Sequence, residues 1–243
     1  MKLSERLITV AKMVTPGLKV ADVGCDHGHL AIYLVENKIA PFVYAMDVNK
    51  GPLERARVNI ERDDCAHSIK TILSDGLKEL KPGEGESVVM AGMGGPLMAE
   101  ILEASKEVCR EAREFILQPQ SEIAMVRHYL QDHGYSIKSE DMVYEDEKFY
   151  TVIKAVHGDM NWDREVFFQY GKILIKERNP ILLQYLYMQR KKLGALLGQL
   201  VNGILTDRIK KRIEEVKEEL IYNEQAISIM EETHPVEIER VLK

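Results

Sequence analysis

From residue 18 to residue 133, short β-branched runs alternate with stretches whose apolar positions recur every three or four residues; beyond residue 157 only the helical spacing continues. Strands that alternate with helices fold as a mainly parallel sheet covered on both faces, so the change of period predicts two differently built parts. Leu3, Leu7, Val10, Ala11 and Val14 form an opening amphipathic helix that Thr15-Pro16-Gly17 ends. Strands are predicted over Leu18–Gly24, Phe42–Asp47, Ser68–Leu73, Glu86–Ala91 and Arg113–Gln118. Between them run helices over Gly28–Asn37, Leu53–Asp63 (opened by Gly51-Pro52), Gly95–Lys106 and Glu122–His133, the last stopped by Gly134. Tyr135–Tyr144 and Phe149–Val156 then face each other across Glu145-Asp146-Glu147-Lys148 as a hairpin, which makes the last strand of a seven-stranded, Rossmann-like α/β sheet antiparallel.

After the polar link His157–Trp162 the chain reads as helix alone, which divides it into 1–157 and 158–243. Asn179-Pro180 opens a helix with Leu182, Leu186, Leu193, Leu196 and Leu200 on one stripe, interrupted at Gln189. Past an Asn202-Gly203 break, Thr206 caps a second helix carrying Ile209, Ile213, Val216, Leu220, Ile227 and Met230. Two such stripes predict an antiparallel hairpin of coiled-coil type. The net charge of −6 conceals an asymmetry: residues 171–212 hold ten Lys or Arg against Glu177 and Asp207, leaving the remainder strongly acidic. Lys191, Lys192, Lys210 and Lys211 are the candidate RNA-phosphate contacts within that basic stretch, with a solvated coiled-coil face as the plain alternative.

No apolar run reaches the roughly 20 residues of a membrane span, and the amphipathic start differs from a signal peptide, so a cytoplasmic protein without a membrane partner is expected. Three cysteines without a C-x-x-C clip and seven histidines without ligand spacing argue against a metal site. Cys25 reads as packing, and His128 and His133 carry no assigned role. Both a monomer and a homodimer are compatible with the helical stripes.

The sharpest chemical signal is Asp22-Val23-Gly24-Cys25-Asp26-His27-Gly28-His29-Leu30, a strand end, a glycine turn and a helix start. Such a turn lets a ligand approach the backbone beside free helix N–H groups. The spacing of Gly24 and Gly28 is not G-x-G-x-x-G, and Asp26 would repel a pyrophosphate yet suit the sulfonium and ammonium charges of S-adenosylmethionine. Asp47, closing the second strand, can accept two ribose hydroxyls, and Asp75 in Ser74-Asp75-Gly76 can take an adenine amino group. Ala91-Gly92-Met93-Gly94-Gly95-Pro96 provides a floor nearly free of side chains, along which a planar acceptor could slide towards a methyl group.

These segments, with Phe115-Ile116-Leu117-Gln118-Pro119-Gln120, Arg127, Gly134-Tyr135, Phe149-Tyr150 and the opening Leu3-Ser4-Glu5-Arg6-Leu7, resemble the bacterial tRNA (adenine-N1)-methyltransferases that modify adenine 22. One departure stands at Gly28-His29-Leu30-Ala31, where that family carries an aromatic residue. The resemblance implies a seven-stranded methyltransferase fold, S-adenosyl-L-methionine as cofactor, tRNA as partner, and cofactor contacts at Gly24, Asp26, His27, Asp47, Asp75, Gly76 and Gly92. Adenine N1 already carries a lone pair, so alignment supplies much of the rate, and a carboxylate beside the nascent cation adds to it. Asp26, with His27 second, is the candidate for that role. A small-molecule methyltransferase with a dimerising coiled coil and a non-catalytic RNA-binding protein are the competing readings.

Overall fold

The computed structural model describes residues 3–202 and 206–232. Its first compact unit ends at Trp162 and its second begins at Asp163. Gly158–Trp162, sorted with the helical part by the sequence, belongs to the first unit; the Trp162 N–H and carbonyl both bond the Gln131 side chain.

The first unit opens with α1 (Glu5–Met13) and then winds β1 (Val20–Val23), α2 (His29–Glu36), β2 (Val43–Asp47), α3 (Lys50–Arg62) and β3 (Ile69–Leu73). β4 (Ser87–Met93), α4 (Gly95–Ala104), α5 (Lys106–Glu111), β5 (Glu114–Pro119), α6 (Ile123–Asp132), β6 (Tyr135–Glu145) and β7 (Lys148–His157) complete it. The seven strands lie in the order β3-β2-β1-β4-β5-β7-β6. β1 to β5 are parallel, and β7 runs antiparallel to both its neighbours. The order reverses between β1 and β4, so successive crossovers turn to opposite sides: α1, α2 and α3 pack together on one face, α4, α5 and α6 on the other. That reversal opens a crevice at the carboxyl ends of β1 and β4, where doubly wound sheets take ligands.

Two expected helices differ. α3 begins at Lys50, with Asn49 as its cap, so Pro52 sits inside the first turn, where its missing N–H has no intrahelical partner to lose. The single helix expected over Gly95–Lys106 breaks at Ser105 into α4 and α5. At the opposite, amino edge of the sheet, buried Glu114 accepts bonds from Thr15, Ser87 and Lys154, tying four segments together. Burial alone would raise its pKa; these bonds outweigh it and hold the carboxyl below its ordinary range.

The second unit has two short helices, α7 (Glu165–Tyr170) and α8 (Lys172–Lys176), followed by α9 (Pro180–Val201) and α10 (Asp207–Glu231). Asn179 and Thr206 cap the long helices as expected; Asn202 ends α9, while Gly203 lies outside the described residues. The hairpin is antiparallel, since Asn223 bonds Leu186 and Gln189 whereas Tyr187 bonds Glu231. Gln189, the interruption in the leucine stripe, meets buried Asn223 and the Tyr170 hydroxyl, so a small polar network fixes the register.

Candidate active site

β1 is buried along its whole length, and Asp22 is its one polar residue. Among the described residues Asp22 Oδ2 has no hydrogen-bond partner. Burial, reinforced by the Asp47 carboxylate, pushes its pKa up to about 7. Asp22 lines a cavity of about 300 Å³ together with Gly24, Asp26, His27, Gly92 and Arg6, whose guanidinium is the only Lys or Arg charge in the wall among the described residues. A carboxylate with one unpartnered oxygen and a guanidinium in one cavity suit a ligand that carries charges of both signs.

The floor is made by a bulge. Between Ala91 and Met93 the β4–β5 register slips, and Gly92, at φ +85°, is the residue left over. A side chain there would need both that backbone conformation and room beside Arg6 Nη1, 3.5 Å from the position of its Cβ. Gly95 has a different reason: its Cβ would fall 2.7 Å from the Ser121 carbonyl and 2.7 Å from Val126, so α4 could not start against α6. The glycine-rich run is therefore only partly floor; Gly92 lines the cavity and Gly95 is buried packing.

Arg6 comes from α1. Ser4 caps that helix, and Glu145 at the end of β6 accepts the N–H groups of Glu5 and Arg6, its charge matched to the helix amino terminus. So anchored, Arg6 donates to the Oε1 of fully buried Gln118 at 2.7 Å, and its guanidinium carbon lies 5.5 Å from the centre of the Tyr150 ring. Gln120 completes this side of the wall.

Gly24, Asp26, His27 and Gly92 are brought together in the cavity wall. Asp47 stands behind them: one oxygen accepts the Asp26 N–H at 3.2 Å and the other that of Asn49 at 2.8 Å, bracing the turn and leaving lone pairs on both. Asp75 and Gly76 are not in the wall; Asp75 is exposed and paired with Lys78, and Gly76 packs under Ile101. The Asp26 side chain is 68% exposed and lies 3.5 Å from His27 Nε2, while the His27 and His29 rings stack. Burial, with His27 second, lowers the His29 pKa. Cys25 is a buried free thiol, its pKa raised chiefly by burial. Asp22 and Arg6 are the residues sequence reasoning missed. The signal for Asp22 was a lone carboxylate in an otherwise apolar strand; Arg6, from a helix outside the sheet, gave none beyond the family-like opening.

The four candidate lysines of the second unit are all exposed. Lys210 pairs with Asp207 and Lys211 with Glu215, whereas Lys191 and Lys192 have no acidic partner among the described residues. At 1.5 Å per residue the two pairs stand about 15 Å apart along the hairpin.

The methyltransferase domain family matches residues 3–153. The tRNA (adenine(22)-N(1))-methyltransferase of Bacillus subtilis is 31% identical over 225 residues, covering 90% of this chain and 94% of the relative. This chain belongs to the tRNA (adenine(22)-N1)-methyltransferase family. Solved structures agree with the family's fold across both units. The B. subtilis m1A22 tRNA methyltransferase superposes with a TM-score of 0.83 at 30% identity, covering 93% of this chain and 99% of that one. Streptococcus pneumoniae Sp1610, in complex with S-adenosyl-L-methionine, gives 0.84 at 29% identity, with 93% and 100% covered. The Mycoplasma capricolum relative bound to S-adenosyl-homocysteine gives 0.81 at 28%, with 95% and 100% covered. The family's seven-stranded sheet with an antiparallel last strand is the sheet described above.

Proposed function

We propose that this protein transfers a methyl group from S-adenosyl-L-methionine to N1 of adenine 22 in tRNA. The observation that carries the proposal is that Asp22, with an unpartnered oxygen, and Arg6 line one cavity. The methionine end of the cofactor bears an ammonium and a carboxylate, and a buried acceptor with an open valence and a fixed guanidinium fit those charges in that order. The residues present therefore fit the cofactor. Asp22 would hold the ammonium, Arg6 the carboxylate, and Gly24 and Gly92 would let it lie against backbone. Asp47 has lone pairs left for ribose hydroxyls, and Asp75 and Gly76, at the end of β3, are proposed for the adenine. When bound, the cofactor supplies a methyl group made electrophilic by a sulfonium.

The protein's own task is alignment and charge. Gly92 keeps the acceptor side of the cavity clear, so that N1 can approach in line. Methylation leaves a cation on the base, and Asp26, with His27 beside it, is proposed to face that charge, which counts for more in the transition state than in neutral adenine. The unit that ends at Trp162 would be the methyltransferase part and the one that begins at Asp163 the tRNA-contacting part, with Lys191, Lys192, Lys210 and Lys211 on phosphates. Among the described residues no helix is long and apolar enough to cross a membrane; a cytoplasmic location follows from the substrate.

The test is direct. Purified protein is incubated with unmodified bacterial tRNA and isotopically labelled cofactor, and the methylated nucleotide is mapped by mass spectrometry. Label at N1 of adenine 22 is expected; no transfer to any tRNA carrying adenine at that position would refute the proposal.

A further inference from the structure

The tip of the β6–β7 hairpin gathers aromatic side chains, and Arg6 links one of them, Tyr150, to the floor of the cavity. Tyr144 and Phe149 pair across the turn with ring centres 4.5 Å apart, and Tyr144 is 42% exposed. Tyr150 follows, half-buried, with its hydroxyl unbonded among the described residues. The antiparallel register ends with Leu117 facing Ile153, a few residues along β7 from Tyr150 and a few along the chain from Gln120, which lines the cavity. Arg6 bridges the two: it lies over the Tyr150 ring and beside Gly92. A phenol ring within one guanidinium of a bare backbone floor is a surface for a planar, uncharged ring.

We infer that Tyr150 is the stacking partner of the acceptor base: the target adenine, drawn out of its own stack, lies over the Gly92 bulge with Tyr150 against it. This rests on the tRNA-methylation reading and extends it to how the base is held. A flipped base loses its neighbours at a cost of roughly a few kcal/mol, and an aromatic shelf at the destination returns part of it. A guanidinium donates and never accepts, so Arg6 cannot bond the adenine amino group; the ring, indifferent to donor and acceptor pattern, can receive the base without competing for N1.

The experiment compares Tyr150→Ala and Tyr150→Phe. Wild-type transfer to tRNA is measured first, because its absence would refute the parent reading and leave nothing for Tyr150 to hold. Given wild-type transfer, Tyr150→Ala should lower kcat/KM for tRNA by about 10- to 100-fold, and Tyr150→Phe, which keeps the ring, should restore most of it. Binding is then measured with S-adenosyl-homocysteine present, using tRNA with and without the base at position 22. Wild type should lose affinity when the base is absent; Tyr150→Ala should bind the two tRNAs alike. Tyr150→Ala that still distinguishes them, Tyr150→Phe as impaired as Tyr150→Ala, or loss of cofactor affinity in Tyr150→Ala, which would make the ring a prop for Arg6, each overturns the inference.

Discussion

The two units hold their candidate functional charge in opposite ways. In the first, one buried carboxylate stands out: Asp22 Oδ2 has no hydrogen-bond partner, and Arg6 brings the only guanidinium or ammonium to the wall, among the described residues. In the second the charge is exposed and plural, four lysines on a hairpin, two already in ion pairs of the kind that contribute little. A buried lone charge makes a short-range, geometrically exact contact and is costly to keep; exposed charges act additively, through screened fields, and cost almost nothing. One substitution should therefore disable the first region, whereas the second should fail only by accumulation.

The largest effect tests accumulation. Replacing Lys191, Lys192, Lys210 and Lys211 together by Glu should weaken tRNA binding by about a thousandfold at low salt, with cofactor affinity unchanged by calorimetry. Wild-type tRNA affinity in that variant would break the comparison and return the hairpin to a solvated face. Next comes the single buried charge. Asp22→Asn should lower cofactor affinity by about 100-fold, the worth of a charge-assisted bond in a dry site. The same variant should melt at a higher temperature than wild type without cofactor, because it removes an ionised carboxylate that burial penalises. A drop in melting temperature would show that Asp22 serves the fold.

These contrasts follow what the sequence could and could not disclose. The strand–helix alternation, the hairpin and the caps at Asn179 and Thr206 were legible because each depends on neighbours within a few residues. The glycine turn was legible too, and with it the placing of Gly24, Asp26, His27 and Gly92 in one cavity wall, since turn chemistry is local. Asp22 and Arg6 were not, because their meaning lies in what they face: Arg6 reaches Gln118 across 112 positions, and Glu145 holds α1 from 140 positions away. The glycine run misled for the same reason. Gly92 and Gly95 look alike in sequence, yet one answers to a bulge and the other to the start of α6. Asn223 escaped the apolar stripe because its partners sit on the other helix of the hairpin.

A smaller effect, about tenfold, should appear with pH. The folded pKa of Asp22 is raised from 3.8 to about 7, so the cofactor-free fold takes up a proton that the unfolded chain releases. Its contribution to stability is complete below pH 4 and is lost as pH rises through 7. Cofactor binding runs the other way, since the ammonium requires the ionised carboxylate: affinity should improve by about tenfold between pH 6 and pH 8 and then level off. Asp22→Asn should flatten both curves. An unchanged slope in that variant would assign the titration to another group.

The smallest effect sharpens the comparison most, because it asks whether the exposed charges are equivalent. Single Lys→Ala changes should each weaken tRNA binding by about threefold and reduce the salt dependence by about one released ion. They should not be equal. Lys191 and Lys192 are without acidic partners among the described residues and meet a phosphate at no electrostatic loss, whereas Lys210 and Lys211 must first give up Asp207 and Glu215. Lys191→Ala and Lys192→Ala should therefore lose more affinity than Lys210→Ala and Lys211→Ala, and Asp207→Asn should raise the affinity of the otherwise wild-type chain. If all four lysines count alike and Asp207→Asn has no effect, the ion pairs are irrelevant to binding, and the charge of the hairpin acts only as a sum.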